Sequence, residues 1–174
     1  MRLILALVLA VGLSLPAFAD TGIIGRTKFS TTAQTVTATA YEALDLVGGK
    51  ITITSAVREE TNSGIIQHIV ITDLAAQAGS YDVVFFSSDP SGTTFTDEAA
   101  LDIADADLPK VIGIVPVTTT GAFNDNGVSA AYNIGLPFNL GSGVTTLYAA
   151  IVVRSTPTYA STADVQIRVS ILQD

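Results

Sequence analysis

The residues with the most chemical potential lie between Ser87 and Lys110, in SSDPSGTTFTDEAALDIADADLPK. Asp89, Asp97, Glu98, Asp102, Asp105 and Asp107 are six of the chain's 16 carboxylates. Carboxylates are hard oxygen donors, and calcium gathers ~6–8 such oxygens at many extracellular sites. On a helix, Glu98 and Asp102 stand four residues apart and Asp102 and Asp105 three apart, so they share one face. Asp97, Glu98, Asp102 and Asp105 are therefore the candidate calcium ligands. Their spacing meets no recognised calcium-loop pattern, and a run of like charges ordinarily forms a solvated face. We assign the segment no metal and no cofactor, with calcium at those four residues as the alternative. A carboxylate pair can also hydrolyse glycosides. Sugar clefts usually add aromatic platforms, and this chain has no Trp.

Other constellations are missing from the sequence. His68, in GIIQHIVIT, is the only histidine, so any Ser-His-Asp arrangement must use it. Its neighbours two residues away, Ile66 and Val70, give it the place of a packed strand residue. There is no G-x-S-x-G nucleophile elbow, no H-E-x-x-H and no Cys/His pair for zinc. No P-loop or dinucleotide fingerprint follows a strand. Asn124-Asp125-Asn126-Gly127 lacks the alternating oxygens and terminal Glu of a calcium loop and reads as a turn. Tyr132, Tyr148 and Tyr159 are candidates for a sugar or peptide site, although isolated tyrosines usually serve packing. The expectation is a protein that is not an enzyme, with no catalytic or cofactor-binding residues to name.

Composition narrows the class further. The net charge is −8, which disfavours nucleic acid, whose phosphates require Lys and Arg. It equally disfavours an anionic membrane surface. The absence of cysteine excludes disulfides and thiolate-held metals. Arg2, the apolar run Leu3–Leu15 and Ala17-Phe18-Ala19 have the form of a signal peptide cleaved after Ala19. The alternative for residues 1–19 is a hydrophobic N-terminal arm.

The elements that must position these residues are strands. Residues 20–33 read as an extended arm and 34–174 as one domain. Short β-branched runs fall at 34–40, 49–56, 64–72, 80–87, 111–118, 143–154 and 164–172, with a weaker one at 129–138. Val165, Ile167, Val169 and Ile171 alternate with Gln166, Arg168 and Ser170, the mark of a half-buried strand. The 143–154 run is apolar on both faces and belongs at the centre of a sheet. Pro116 places 111–118 at an edge or a bulge. Gly48-Gly49, Asn126-Gly127 and Gly141-Ser142-Gly143 mark reversals, and Asp89-Pro90-Ser91-Gly92 reads as a turn with Pro second. Thr96 as N-cap, Asp97 and Glu98 in a first turn and Pro109 as a stop predict one short helix over 96–108. The fold expected is all-β: a single antiparallel β-sandwich, jelly-roll-like, of seven or eight strands with that helix.

Three stretches carry a resemblance: DLVGGKITIT (45–54), FFSSDPSGTTFTDEAALDIADADLPKVIGIV (85–115) and TTLYAAIVVRSTPTYASTADVQIRVSILQD (145–174). Together they resemble a group of small proteins of tailed bacteriophages and prophages, often encoded among head-morphogenesis genes. The resemblance implies a virion structural protein, with capsid decoration as the specific role. Its partners would be other virion proteins or further copies of itself, and its location the virion. It carries no catalytic or binding residues. The leader-like start implies the alternative, a secreted or periplasmic β-sandwich binding or adhesion module with no membrane contact after processing.

Overall fold

The computed structural model describes residues 26–77 and 79–174. The signal-peptide or arm assignment of 1–19, and residues 20–25 of the extended arm, lie outside them. The described chain is all-β, an antiparallel sheet of nine strands that curls towards a barrel and carries almost no helix. In chain order these are β1 (Arg26–Gln34), β2 (Ile51–Ile53), β3 (Ser63–Asp73), β4 (Tyr81–Phe86), β5 (Val111–Ala122), β6 (Gly127–Ala131), β7 (Leu136–Asn139), β8 (Leu147–Val153) and β9 (Val165–Gln173). The spatial order is β1-β9-β3-β6-β5-β4-β8-β2, with β7 paired to β3 beside β6.

The pairings nest. β1 lies against β9, β2 against β8, β3 against β6 and β7, and β4 against β5. Three further ladders, β3–β9, β4–β8 and β5–β6, join neighbouring pairs. β5 is the hinge of the curl. Its residues 111–117 pair with β4, and 118–122 pair with β6. Pro116 sits on the part of β5 that has a partner on one side only, so its missing N–H costs no ladder bond. Pro137 stands on β7, across the same gap, and blunts that edge in the same way.

One core lies between the two halves of the curled sheet. Ile66, Ile69, Ile71, Val165, Ile167, Val169 and Ile171 from one half meet Ile51, Val83, Phe85, Leu147 and Ile151 from the other. On β9, Val165, Ile167, Val169 and Ile171 are buried and Gln166 and Arg168 exposed, as the alternation predicts, whereas Ser170, expected beside them, is buried. On β3, the register shifts between Ile66 and His68. This β-bulge puts Ile66 and Ile69 both in the core and leaves His68 half-buried outside it. His68 therefore does not share a face with Ile66, which corrects the strict alternation expected there.

Other expectations also need correction. The first strand is 26–34, all but its last residue inside the segment expected to be an arm, and 35–40 forms no strand. β1 ends where its partner ends: Gln34 pairs with Val165, the first residue of β9. Beyond it the Val36 amide donates to the Thr162 carbonyl, and Thr37 turns away to Asp97. The 129–138 run divides into β6 and β7, separated by Asn133 and Gly135, both at positive φ. With β1 this brings the count to nine rather than seven or eight. The 96–108 helix does not form. A single 3-10 turn, Leu108–Lys110, is all the helix in the described residues. The turn after β4 is displaced by one residue, with the Thr93 amide donating to the Pro90 carbonyl at 3.2 Å.

Gly48 shows the tightest backbone requirement. Its φ is +74°, and a Cβ there would lie 2.5 Å from Gln34 Oε1 and 2.9 Å from Gln34 Cβ. Gly48→Ala is expected to cost about 2 kcal/mol or more, combining a left-handed backbone penalty of ~1–2 kcal/mol with the clash. Urea unfolding of the variant checks this, and Gly49→Ala, with open space around its Cβ position, is the control.

Candidate functional site

Residues 87–110 join β4 to β5, two strands that pair directly. A short turn would have been enough to connect them. Instead the chain makes a long excursion across the outer face of β4 and β8. Leu46, Val84, Phe86, Ala150 and Val152 form a second buried cluster there, and Phe95, Leu101, Ile103, Val111 and Tyr148 pack on it. Phe86 and Phe95 meet edge to face, with ring centroids 6.2 Å apart. The acidic segment is thus a flap. Its apolar residues adhere to the sheet, and its carboxylates are divided between tethers and solvent. This flap also explains why β8 is apolar on both faces: one face lines the main core and the other lies beneath the flap.

Asp97 is the principal tether. Its carboxylate accepts from the Thr37 amide at 2.6 Å, the Thr37 hydroxyl at 2.7 Å, the Tyr41 hydroxyl at 2.7 Å and the Gly48 amide at 2.6 Å. Next to it the Glu98 amide donates to the Leu46 carbonyl, Leu46 to Ala99 and Leu101 to Leu44. These bonds draw 98–101 alongside 44–46 as an extended strip, with an Asp45–Ala100 bridge. Glu98 takes a positive φ of 59°, which no helix permits. This is the physical reason the helix fails. Its carboxylates and backbone donors find stronger partners across the fold, and local propensity yields to tertiary pairing.

The remaining acids differ in role. Asp107 is 1% exposed and accepts from Thr93 Oγ1 at 2.8 Å and Lys110 Nζ at 2.7 Å. The hydrogen bond from Lys110 holds its carboxyl below the usual carboxylate range. Lys110 also donates to the Asp89 carbonyl at 2.6 Å. The Asp89 side chain pairs with Lys50 at 2.5 Å. Glu98, Asp102 and Asp105 are exposed. The four candidate calcium ligands are therefore not brought together: Asp97 faces the fold, while Glu98, Asp102 and Asp105 face solvent. Among the described residues no three His, Cys, Asp or Glu side chains converge as a metal would require.

Because the native state holds Asp107 ionised, the stability this group adds is present above the ordinary carboxylate pKa. It is lost as pH falls through the lowered folded value. Lys110→Met should melt below the parent at neutral pH, with the difference shrinking as the solution is acidified. Thermal melts at a series of pH values read this directly.

A cavity of about 360 Å³ lies between the flap and Leu46, lined by Thr94, Thr96, Ala100, Leu101 and Asp102 among others. Asp102 is the one titratable side chain in its lining. A lone carboxylate does not provide the pair that glycoside hydrolysis uses.

His68 stacks edge to face on exposed Tyr132, with centroids 5.7 Å apart. The three tyrosines read as a ligand site lie apart. Tyr132 is on the outer face of the β3 side, Tyr148 is under Lys50 with Nζ 5.5 Å from its ring, and Tyr159 is in the core. Tyr159 instead joins a group that sequence reading missed. Its ring meets Tyr41 edge to face at 5.1 Å, and its hydroxyl lies 3.1 Å from that of Tyr81. Burial raises all three phenols above their ordinary pKa, Tyr81 to about 12. Nearby Asp73 is also buried, and burial raises its pKa even though the Ala75 and Gln77 amides donate to it. No spacing in the sequence signals this group, because its members come from segments far apart in the chain. Asp164 was missed as well. It accepts from the Ala160 and Ser161 amides and closes the turn before β9.

No protein-family model and no curated protein sequence matches the chain. Among solved structures, it aligns with a chain described as Desmodium yellow mottle tymovirus. The alignment has 11% identity, covers 98% of this chain and 93% of that one, and has a TM-score of 0.26. A likeness at that level adds nothing to the strand order set out above.

Proposed function

We propose that this chain is a structural protein of a bacteriophage virion, built on a jelly-roll plan and acting in capsid decoration. The observation that carries the reading is the nested pairing of β1 with β9, β2 with β8, β3 with β6 and β7, and β4 with β5. A long antiparallel hairpin wound around itself produces that order, and the jelly roll made this way serves viral capsids, lectins and cupins. A fold alone does not choose among these uses. Two further points favour the architectural one. The three resembling stretches include the whole flap, and the flap's inward carboxylates are spent on tethering the chain to itself.

Mass spectrometry of purified particles tests the reading. The chain is expected among the virion proteins, and its absence from them removes the proposal. For decoration in particular, deleting the gene should leave heads assembled but less resistant to heat. The competing reading, a secreted or periplasmic binding module, rests on the Ala17-Phe18-Ala19 pattern. Recovery outside particles of a protein beginning at Asp20 would put that reading in its place.

A further inference from the structure

We propose that two copies of this chain pair antiparallel through β1, joining their sheets into one across a two-fold axis. β1 is an outermost strand, with β9 on one side and no partner among the described residues on the other. The other open edges are blunted. β2 is three residues long, β7 has four residues and Pro137, and the open part of β5 holds Pro116. β1 has none of these devices. It runs nine residues without proline and keeps an unbroken register with β9 throughout. A long, unprotected edge is a template for another strand. Phe29 is the second observation. It is the one large apolar side chain on β1, and it is 63% exposed.

The ladders show which backbone groups are free. The Leu74 amide donates to the Asp164 carbonyl and the Asp174 amide to the Ser63 carbonyl, so the even-numbered residues of β9 turn their backbone groups to β3. The odd-numbered ones turn theirs to β1, where they meet Lys28, Ser30, Thr32 and Gln34. Thr27, Phe29, Thr31 and Ala33 are left with N–H and C=O pointing out from the edge. Self-pairing gives these groups partners. A two-fold axis keeps outer face beside outer face, so it passes through a residue and not between two. The register that uses the whole of Arg26–Gln34 centres on Ser30. Arg26 then lies opposite Gln34 of the second copy, and Phe29 opposite Thr31. The two Phe29 rings stand diagonally across the axis on the outer face, with Cα atoms ~7–8 Å apart, within reach of each other. A second copy therefore covers the exposed ring with its own. Charge agrees with this arrangement. Antiparallel pairing leaves Arg26 about 26 Å from its counterpart and Lys28 about 13 Å, beyond the screening length of ~8 Å. Parallel pairing would set each cation against itself.

The pairing is a property of the purified chain and does not rest on the virion reading. Sedimentation velocity of the full chain over a rising concentration series should show a monomer–dimer equilibrium. Thr31→Pro removes an outward N–H and no bond to β9, and Phe29→Asp sets two carboxylates across the axis. Each should raise the dimer dissociation constant ~10-fold or more, because the axis counts every change twice. Both positions are exposed, and a thermal melt shows whether each variant folds. Cysteine reads the register, since the chain has none of its own. As a non-hydrogen-bonded pair, the two Ser30 Cα atoms would lie ~4.5 Å apart, inside the span of a disulfide. Ser30→Cys should cross-link into a covalent dimer with oxidised glutathione. Ala33→Cys, about 20 Å from its counterpart, should not. If Thr31→Pro and Phe29→Asp fail to fold, the cysteine pair decides alone. A parent chain that stays monomeric overturns the proposal, as does a folded variant that dimerises like the parent. So does a Ser30→Cys chain that forms no covalent dimer, the result expected if residues 1–25 cover β1 instead, or one that cross-links no better than Ala33→Cys.

Discussion

Asp97→Ala should lower the unfolding free energy by about 3 kcal/mol, the largest effect expected from any carboxylate in the chain. Hydrogen bonds to a charged group contribute ~1.5–3 kcal/mol each, and losing the acceptor leaves its donors without partners. Asp97 receives four such bonds, from Thr37, Tyr41 and Gly48. They act as one network, and the site is partly open to water, so the sum falls well short of four full contributions. Asp97→Asn retains one carbonyl oxygen but turns an NH₂ towards donors, and should cost about 2 kcal/mol on the same principle. Asp105→Ala, an exposed acid in the same flap, should stay within ~0.5 kcal/mol. Urea denaturation at neutral pH separates the three. Equal losses at Asp97 and Asp105 would mean that the network does not hold the flap.

Phe86→Ala should cost ~3–5 kcal/mol, the usual range for emptying a buried aromatic site. Phe86 is fully buried and belongs to the smaller cluster beneath the flap, not to the main core. The loss should therefore be local in character. Without its ring, Phe95 has no edge-to-face partner, and the amides of Leu46, Glu98 and Leu101 should exchange with solvent faster than those of β3 and β9. Phe85→Ala, one residue earlier and facing the main core, should accelerate exchange in both halves of the sheet. If the two variants give one exchange pattern, the flap is not a separate unit of stability.

These substitutions also show what was legible in the sequence. β9 could be read because one face meets the core and the other meets water, and the pattern of Val165 to Ile171 records both. β8 was readable as central, but the reason lies in the flap, which the sequence hides. β1 was missed because its only large apolar residue, Phe29, points to solvent. Threonines and serines form that strand by pairing with β9, and such pairing leaves little periodic trace. The helix at 96–108 was misread for the opposite reason. Thr96, Asp97 and Glu98 make a good local cap, but the partners that outcompete it, Thr37, Tyr41, Leu46 and Gly48, lie ~50–60 residues away. Of the candidate site, the roster of carboxylates was visible. Their division into tethers and solvated charges was not, because it depends on which side of the flap each one faces.

The position of β9 between β1 and β3 also governs when the protein can fold. Its nine residues pair with Arg26–Gln34 on one side and with β3 on the other. Until residues 165–173 have left the ribosome, both neighbours lack that partner, and the main core lacks Val165, Ile167, Val169 and Ile171. Pairing across so much sequence is slow, since the entropy of closing the loop is lost before the contacts form. Until then β1 and β3 each present an open strand edge where β9 will lie. The chain's acidity, which keeps such chains apart, protects it during that interval.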